Sequence, residues 1–124
     1  MTQFAEVPYL LRLAETLHGD PQVDDLGPLY AAVARHQAAA LGQDVYGSDW
    51  LKAAALLDTL ARLPSLEHSN RAFAWAAAIG FLTINDRTLD YKAADAVTLV
   101  KDVSNGLIGV QQTASILRSW QAGH

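Results

Sequence analysis

The segment from Leu63 to Ile84 reads LPSLEHSNRAFAWAAAIGFLTI and decides the fold. A polar loop over 64–69 leads into a segment whose apolar residues recur every three or four positions, which is the period of an α-helix. The members of this stripe are Phe73, Ala76, Ala77, Gly80, Phe81 and Ile84. Because three of them are small, neighbouring elements can pack closely on that side. The pattern predicts a buried central helix.

The start of this helix permits two interpretations. Ser69 and Asn70 offer a side-chain oxygen for an N-cap, and the first backbone N–H groups of any helix lack intrahelical partners. Such an end can also attract an anion, and Arg71 in the first turn would add a positive charge. Taken alone, these residues favour an ordinary capped core helix over an anion site.

Composition excludes several classes of protein. The chain has 124 residues, of which 51% are hydrophobic and 18% charged, as expected for one globular domain over 1–124. The formal net charge is −4 and lysine and arginine do not cluster, which argues against a nucleic-acid partner. Cysteine is absent, which excludes disulfides and is compatible with a reducing cytoplasm. We find no membrane-spanning run and no signal peptide, so we expect a cytoplasmic location.

Apolar periodicity and turn signals divide the rest of the chain into further helices. The predicted helices run from Val7 to His18, from Leu26 or Pro28 to Gln37, from Trp50 to Arg62, from Lys92 to Val103 and from Val110 to Trp120. Asp25 and Ser48 are predicted caps. Glycines over 38–48 predict an irregular or extended flap. No βαβ pattern is present, so we expect an all-α, compact orthogonal bundle of five or six helices.

Four short segments, in this order and at these spacings, indicate a family. They are DLGPLYAAVAR at 25–35, KAAALL at 52–57, NDR at 85–87 and SNGL at 104–107. Together with the segment 63–84, they resemble the Fic/Doc superfamily over nearly the whole chain. The similarity is to the short death-on-curing (Doc) toxins of bacterial toxin–antitoxin pairs. The resemblance implies the helical fold of that family and an antitoxin as protein partner.

The family's signature, His-x-Phe-x-Asp/Asn-Gly/Ala-Asn-Lys-Arg, is degenerate in this chain. Aligned on the final arginine, the signature positions are Leu63, Ser65, Glu67, His68, Ser69, Asn70 and Arg71. Leu63 therefore stands at the catalytic histidine, and Glu67 and Arg71 are the tolerable matches. Shifting the alignment by one residue places Asn70 on the family's asparagine but puts Pro64 at the histidine. Neither alignment supplies the histidine.

According to the resemblance, the signature residues that this chain lacks are those that carry the family's chemistry. In the family the histidine is a general base, the acidic residue holds Mg²⁺ on nucleotide phosphates, and the glycine and lysine let the loop cradle those phosphates. General base catalysis typically contributes about 10²–10⁴-fold, and Leu63 cannot accept a proton. His68 replaces the small residue and restricts the backbone. The lysine is lost as well, which removes a phosphate counter-charge. We therefore expect a pseudoenzyme that needs no cofactor.

Three functions remain open at this point. The first is a toxin-family protein that acts through protein binding, with an antitoxin in a hydrophobic groove beside the central helix. Trp75 and Trp120 either line that groove or pack as buried aromatics, the latter being favoured.

The second is a transferase that phosphorylates or AMPylates a protein hydroxyl, with His68 as base, Glu67 on Mg²⁺ and Arg71 on the phosphates of ATP or another nucleotide. The third is a binder of nucleotides or small molecules without turnover, using Ser69, Asn70 and Arg71. The simplest interpretation of His68 is a solvent-exposed loop histidine without a catalytic role. The other histidines, His18, His36 and His124, have no spacing with carboxylates that indicates a metal site.

Overall fold

A computed structural model describes residues 1–123, which form six helices and one small hairpin. In chain order the elements are α1 (Val7–Glu15), α2 (Gly27–Gln37), β1 (Ala39–Ala40), β2 (Gln43–Asp44), α3 (Asp49–Arg62), α4 (Asn70–Ile84), α5 (Ala93–Ser104) and α6 (Val110–Ser119). The predicted all-α bundle is confirmed. The prediction for His124 lies outside the described residues. No helix within 1–123 is both long and apolar enough to cross a membrane.

The helix α3 lies at the centre of the bundle and contacts α2, α4, α5 and α6. Its buried residues run without interruption from 52 to 60, and Trp50 is buried as well. Ser48 begins the helix as predicted, because its Oγ accepts a hydrogen bond of 3.1 Å from the Leu51 N–H. α3 therefore provides the surface on which the other helices pack.

The helix α4 packs its apolar residues on α3, although with a different face from the one predicted. Its buried residues are Phe73, Ala74, Ala77, Ala78, Phe81 and Leu82. Ala76 and Gly80 are half-buried, and Ile84 is exposed. Because α4 is apolar almost all round, periodicity alone could not decide which face turns inward. Gly80 still permits a close approach: a Cβ built there would lie 2.5 Å from the Tyr9 hydroxyl oxygen of α1.

The helix α1 is shorter than predicted and ends at Glu15 rather than His18. The N–H groups of Thr16 and Leu17 bond to carbonyls three residues earlier, so the last turn tightens instead of continuing as an α-helix. Gly19 follows with a φ of 83°, a left-handed conformation that glycine adopts without strain. The chain then turns back towards the loop between α3 and α4.

The helix α5 is only partly covered by the rest of the described chain. Ala93, Ala96, Val97 and Val100 form an apolar stripe at helical spacing along it. Ala96 and Val100 are buried, whereas Ala93 is exposed and Val97 is 67% exposed. No element within residues 1–123 covers Ala93 and Val97.

The flap predicted over 38–48 is a two-stranded antiparallel hairpin in which Ala39 pairs with Asp44. The hairpin turns at Leu41 and Gly42, both with positive φ. It is fastened to the bundle by the buried Lys52 of α3, whose Nζ donates to Asp44 Oδ2 at 3.0 Å and to the Tyr46 carbonyl. The flap is thus extended and anchored.

His36 links the N-terminal segment to the core. Its buried ring lies between the edges of Phe4 and Phe81. Nε2 accepts a 3.1 Å hydrogen bond from the Ala5 N–H, so Nε2 carries no proton, and Nδ1 lies 2.7 Å from the Val33 carbonyl oxygen. Desolvation by burial lowers the pKa of His36, although the hydrogen bonds to backbone carbonyls oppose the shift. His36 is therefore neutral in the folded chain.

We expect the free energy of unfolding to fall as the pH drops below about 6.5, the ordinary pKa of histidine. Below this value the unfolded chain takes up a proton at His36 that the folded chain does not, which favours unfolding by up to about 1.4 kcal/mol per pH unit. Urea unfolding between pH 7 and pH 5 measures this slope. His36→Gln should flatten it, and His18→Gln, at an exposed position, should not. Equal slopes for wild type and His36→Gln would contradict the assignment.

Candidate functional site

The segment 20–25 is hydrogen-bonded to the loop between α3 and α4. The Ser65 carbonyl accepts hydrogen bonds from the Asp24 and Asp25 N–H groups at 2.9 and 3.1 Å. The Glu67 N–H donates to the Gln22 carbonyl at 3.0 Å, and the Gln22 N–H donates back to Glu67 Oε1 at 2.9 Å. Much of the loop's backbone, and one oxygen of Glu67, are thus used to hold these two segments together.

Asn70 is the residue that gives the loop its shape. Its Oδ1 accepts hydrogen bonds from the Ser65 and Leu66 N–H groups, both at 2.9 Å, and its Nδ2 donates to the Leu66 carbonyl at 3.0 Å. A single amide side chain therefore satisfies three backbone groups four and five residues before it. No pattern in the sequence predicted this role of Asn70.

Ser69 precedes α4 but does not cap it through its side chain within the described residues. Its φ of 67° is left-handed, whereas the usual N-cap backbone is extended and aims the hydroxyl at the N–H groups of the first turn. The Ser69 Oγ lies instead 2.7 Å from His68 Nδ1. The prediction that Ser69 supplies the N-cap oxygen is therefore wrong. The side-chain oxygen of Asn70 accepts hydrogen bonds from the loop residues Ser65 and Leu66 instead.

Glu67 and His68 form a loose, exposed pair. His68 Nε2 lies 3.9 Å from Glu67 Oε1, and both side chains are nearly half exposed. The ring of His68 rests on Gly19, where a Cβ would come within 3.2 Å of its Cε1 atom. No group of three or more His, Cys, Asp or Glu side chains in residues 1–123 is arranged to hold a metal ion.

Leu63, which the resemblance aligns with the family's histidine, ends α3 and is 47% exposed. With Pro64 it lines a shallow cavity against Pro28 and Ala31 of α2. Ser65, which the resemblance aligns with the family's phenylalanine, is fully buried, and its Oγ has no hydrogen-bond partner within residues 1–123. Both alignments thus place only hydrocarbon at the position of the family's base.

Arg71 belongs to a second feature, an open cavity of about 380 Å³ between α4 and α5, which we call the α4–α5 groove. The residues that line it are Arg71, Ala72, Trp75, Tyr91, Ala93, Ala96, Val97 and Val100. Among these lining residues Arg71 carries the only formal charge. The structure therefore places Arg71 at an apolar groove, although the sequence analysis grouped it with the loop residues Glu67 to Asn70.

An aromatic cluster forms part of this groove. The ring centroids of Trp75 and Tyr91 lie 5.3 Å apart in an edge-to-face arrangement, and Tyr91 stacks on Trp120 at 5.7 Å. Trp75 lines the groove, and Trp120 lies behind Tyr91; both tryptophans are half-buried. The two tryptophans were predicted from the sequence as groove or core residues, but Tyr91 was not. The signal that could have found the groove was the small-residue stripe of α5.

We expect Asn70→Ala to destabilise the fold by about 1–3 kcal/mol, because it leaves two N–H groups and a carbonyl of a half-buried loop without partners. Urea unfolding at pH 7 measures the change. Asn105→Ala, an exposed asparagine at the end of α5, is the matched control and should change stability by less than about 0.5 kcal/mol. Equal stability of the Asn70→Ala variant and wild type would show that the loop does not depend on the amide.

Comparison with known proteins bears on the family of the chain. No family model matches the chain. The protein Toxin Doc of Mycolicibacterium smegmatis (strain ATCC 700084 / mc(2)155) is 42% identical over 106 residues, which cover 84% of this chain and 82% of that protein. Identity at this level, over most of both chains, is the mark of one family. The chain belongs to the Doc family of toxins.

Proposed function

We propose that this chain is the toxin-family member of a bacterial toxin–antitoxin pair, that it acts by binding protein, and that it does not carry out the family's nucleotidyl or phosphoryl transfer. Its membership of the Doc family supports the first part of the proposal. The observation that carries the rest is Leu63, an exposed hydrocarbon side chain at the position of the general base. The cytoplasm is the compartment that this proposal implies.

The missing base removes the step by which a target hydroxyl loses its proton. Neither Leu63 nor Pro64, the residue at this position in the shifted alignment, can accept a proton. A general base typically contributes about 10²–10⁴-fold to rate. Transfer without one would therefore be slow even if a nucleotide were bound.

The surrounding loop also fits a magnesium nucleotide poorly. Ser65, Leu66 and Glu67 already use backbone groups in hydrogen bonds to Asn70 and to the segment 22–25. His68 stands where the family has a small residue that lets phosphate approach the backbone. The carboxylate of Glu67 is partly used by Gln22 and has no second acidic ligand in the described loop.

One observation supports two alternative functions. His68 and Glu67 are exposed, lie within 3.9 Å of each other, and precede the first turn of α4, which carries Arg71. A transferase with His68 as base, Glu67 on Mg²⁺ and Arg71 on phosphate would use these residues. A nucleotide binder without turnover would use Ser69, Asn70 and Arg71. Both alternatives require a bound nucleotide, so one binding experiment tests them together.

The α4–α5 groove supports the protein-binding part of the proposal. It is apolar, it is open to solvent, and it lies beside α4, where we propose that an antitoxin docks. Exposed apolar surface of this kind marks interaction sites on many proteins. Trp75 and Tyr91 add aromatic surface, which is enriched at protein interfaces.

We expect calorimetric titration with ATP, GTP, CTP and UTP, each with Mg²⁺, to give no binding heat up to millimolar nucleotide, because the loop offers neither a free backbone cradle nor a complete metal site. Wild type, Glu67→Ala and Arg71→Ala should behave alike. Arg118→Ala, which removes an exposed arginine on α6, controls for non-specific loss of charge.

The opposite result would be clear. Micromolar binding of a nucleotide that is lost in both Glu67→Ala and Arg71→Ala, and kept in Arg118→Ala, would overturn the proposal. Transfer of phosphate or nucleotide to a protein substrate, abolished by His68→Gln, would then establish the transferase. Binding without transfer would establish the nucleotide binder.

A further inference from the structure

We propose that Ser69 is an activated nucleophile with His68 as its general base, and that this pair takes the acyl group of a small activated ester. Such a reaction differs from nucleotidyl or phosphoryl transfer, because the attacking hydroxyl belongs to the loop itself and no nucleotide takes part. Three features of the loop lead to it: the contact between Ser69 and His68, the carboxylate behind the histidine ring, and the backbone conformation at Ser69.

The hydroxyl of Ser69 and the ring of His68 are in direct contact. Ser69 Oγ lies 2.7 Å from His68 Nδ1, which is hydrogen-bond distance and also the distance over which a general base takes a proton. The hydroxyl does not cap α4, so it is not used by the first turn of that helix. A serine hydroxyl that donates to a neutral imidazole is the arrangement that activates serine for attack.

A carboxylate lies on the other side of the ring. Glu67 Oε1 is 3.9 Å from His68 Nε2 and accepts a 2.9 Å hydrogen bond from the Gln22 N–H, which holds it in place. The ring rests on Gly19, where a Cβ would come within 3.2 Å of Cε1. When His68 takes the serine proton, its positive charge therefore forms within ion-pair distance of a fixed carboxylate. Nucleophile, base and acid follow one another as in other activated serines.

The backbone at Ser69 also has the form expected of a nucleophile. Its φ of 67° is uncommon for a residue other than glycine, and such conformations cluster at active sites. Ser69 directly precedes α4, and its carbonyl accepts a 2.9 Å hydrogen bond from the Phe73 N–H. The N–H groups before Phe73 have no partner within the helix. An N–H next to a nucleophilic serine stabilises the oxyanion that forms when the serine attacks a carbonyl.

The reaction has two steps. Ser69 Oγ forms a bond to the carbonyl carbon of the ester while its proton passes to His68 Nδ1. The bond to the leaving oxygen then breaks, His68 returns the proton to that oxygen, and an acyl-serine and an alcohol or phenol result. Water attacks the acyl-serine in the same way, releases the carboxylic acid and restores the hydroxyl.

The openness of the site determines the class of ester. The side chains of Glu67 and His68 are both nearly half exposed, so the loop does not enclose a substrate. Without enclosing walls, the reactivity of the ester selects the substrate more than its shape does. The substrate is therefore expected to be an ester of a small carboxylic acid with a good leaving group.

The first probe is diisopropyl fluorophosphate, which reacts with activated serines: a bond forms between Oγ and phosphorus, the bond to fluorine breaks, and hydrogen fluoride is released. We expect peptide mass spectrometry to find the diisopropylphosphoryl group on Ser69. Ser104 is the internal control, because it is also half-buried but its hydroxyl donates to the Lys101 carbonyl. An unmodified Ser69, or equal modification of Ser104, would overturn the assignment.

A matched pair of histidine variants tests the base. His68→Gln should slow the labelling of Ser69 by about 10²-fold or more, the typical contribution of a general base. His18→Gln, at an exposed histidine outside the loop, should label as wild type does. Far-UV circular dichroism verifies that both variants are folded. Equal labelling rates for His68→Gln and wild type would show that His68 is not the base.

The second probe is p-nitrophenyl acetate, which tests turnover. We expect wild type to release p-nitrophenolate and to carry acetyl on Ser69 after an acid quench. Ser69→Gly removes the hydroxyl and adopts a positive φ without strain, so it should fold and should hydrolyse the ester no faster than free histidine does. Ser104→Ala should behave as wild type.

The remaining outcomes are equally decisive. Hydrolysis by Ser69→Gly at the wild-type rate would show that Ser69 is not the nucleophile, and labelling of Ser69 without hydrolysis of the ester would overturn the acyl transfer. None of these results bears on protein binding, because neither Ser69 nor His68 is among the residues that line the α4–α5 groove. The proposed function therefore stands or falls separately.

Discussion

The burial of α3 on every side is the constraint on which the rest of the structure depends. A helix with no exposed face between residues 52 and 60 needs a partner in each direction, and α2, α4, α5 and α6 supply them. The same burial forces its polar residues to find partners inside the chain. Lys52 reaches the hairpin, and Asp58 accepts a 2.7 Å bond from Arg35 of α2. The burial of the polar residues of α3 thus fixes the positions of both α2 and the flap.

Both ends of the loop between α3 and α4 are fixed by this packing. The loop begins where α3 ends at Leu63 and finishes where α4 begins at Asn70. Because both helices are held by the core, the loop has little freedom, and the Asn70 amide and the segment 22–25 take up much of its backbone. The described hydrogen bonds of this loop therefore hold the ends of α3 and α4 in a fixed arrangement.

Some of this architecture is readable from the sequence, and some is not. The Ser48 cap and the helix that runs from there to Arg62 were predicted correctly, because a cap followed by an apolar stripe depends on neighbours along the chain. The inward face of α4 was not, since a helix that is apolar all round carries no orientation signal. Asn70 was grouped with phosphate-binding residues, because its hydrogen bonds to Ser65 and Leu66 depend on a loop conformation that periodicity does not encode.

The exposed stripe of α5 shows a second limit of prediction from the sequence, which concerns contacts with other molecules. A stripe at helical spacing predicts burial, and it does so whether the partner is in the same chain or in another one. The structure separates the two cases at Val97, which has the pattern of a core residue and the exposure of a surface residue. Arg71 stands between the two features, in the first turn after the loop and in the wall of the groove. A substitution at Arg71 would therefore change the loop and the groove at once. Glu67 lies only at the loop and Val97 only in the groove, so substitutions of these two residues probe the two features separately.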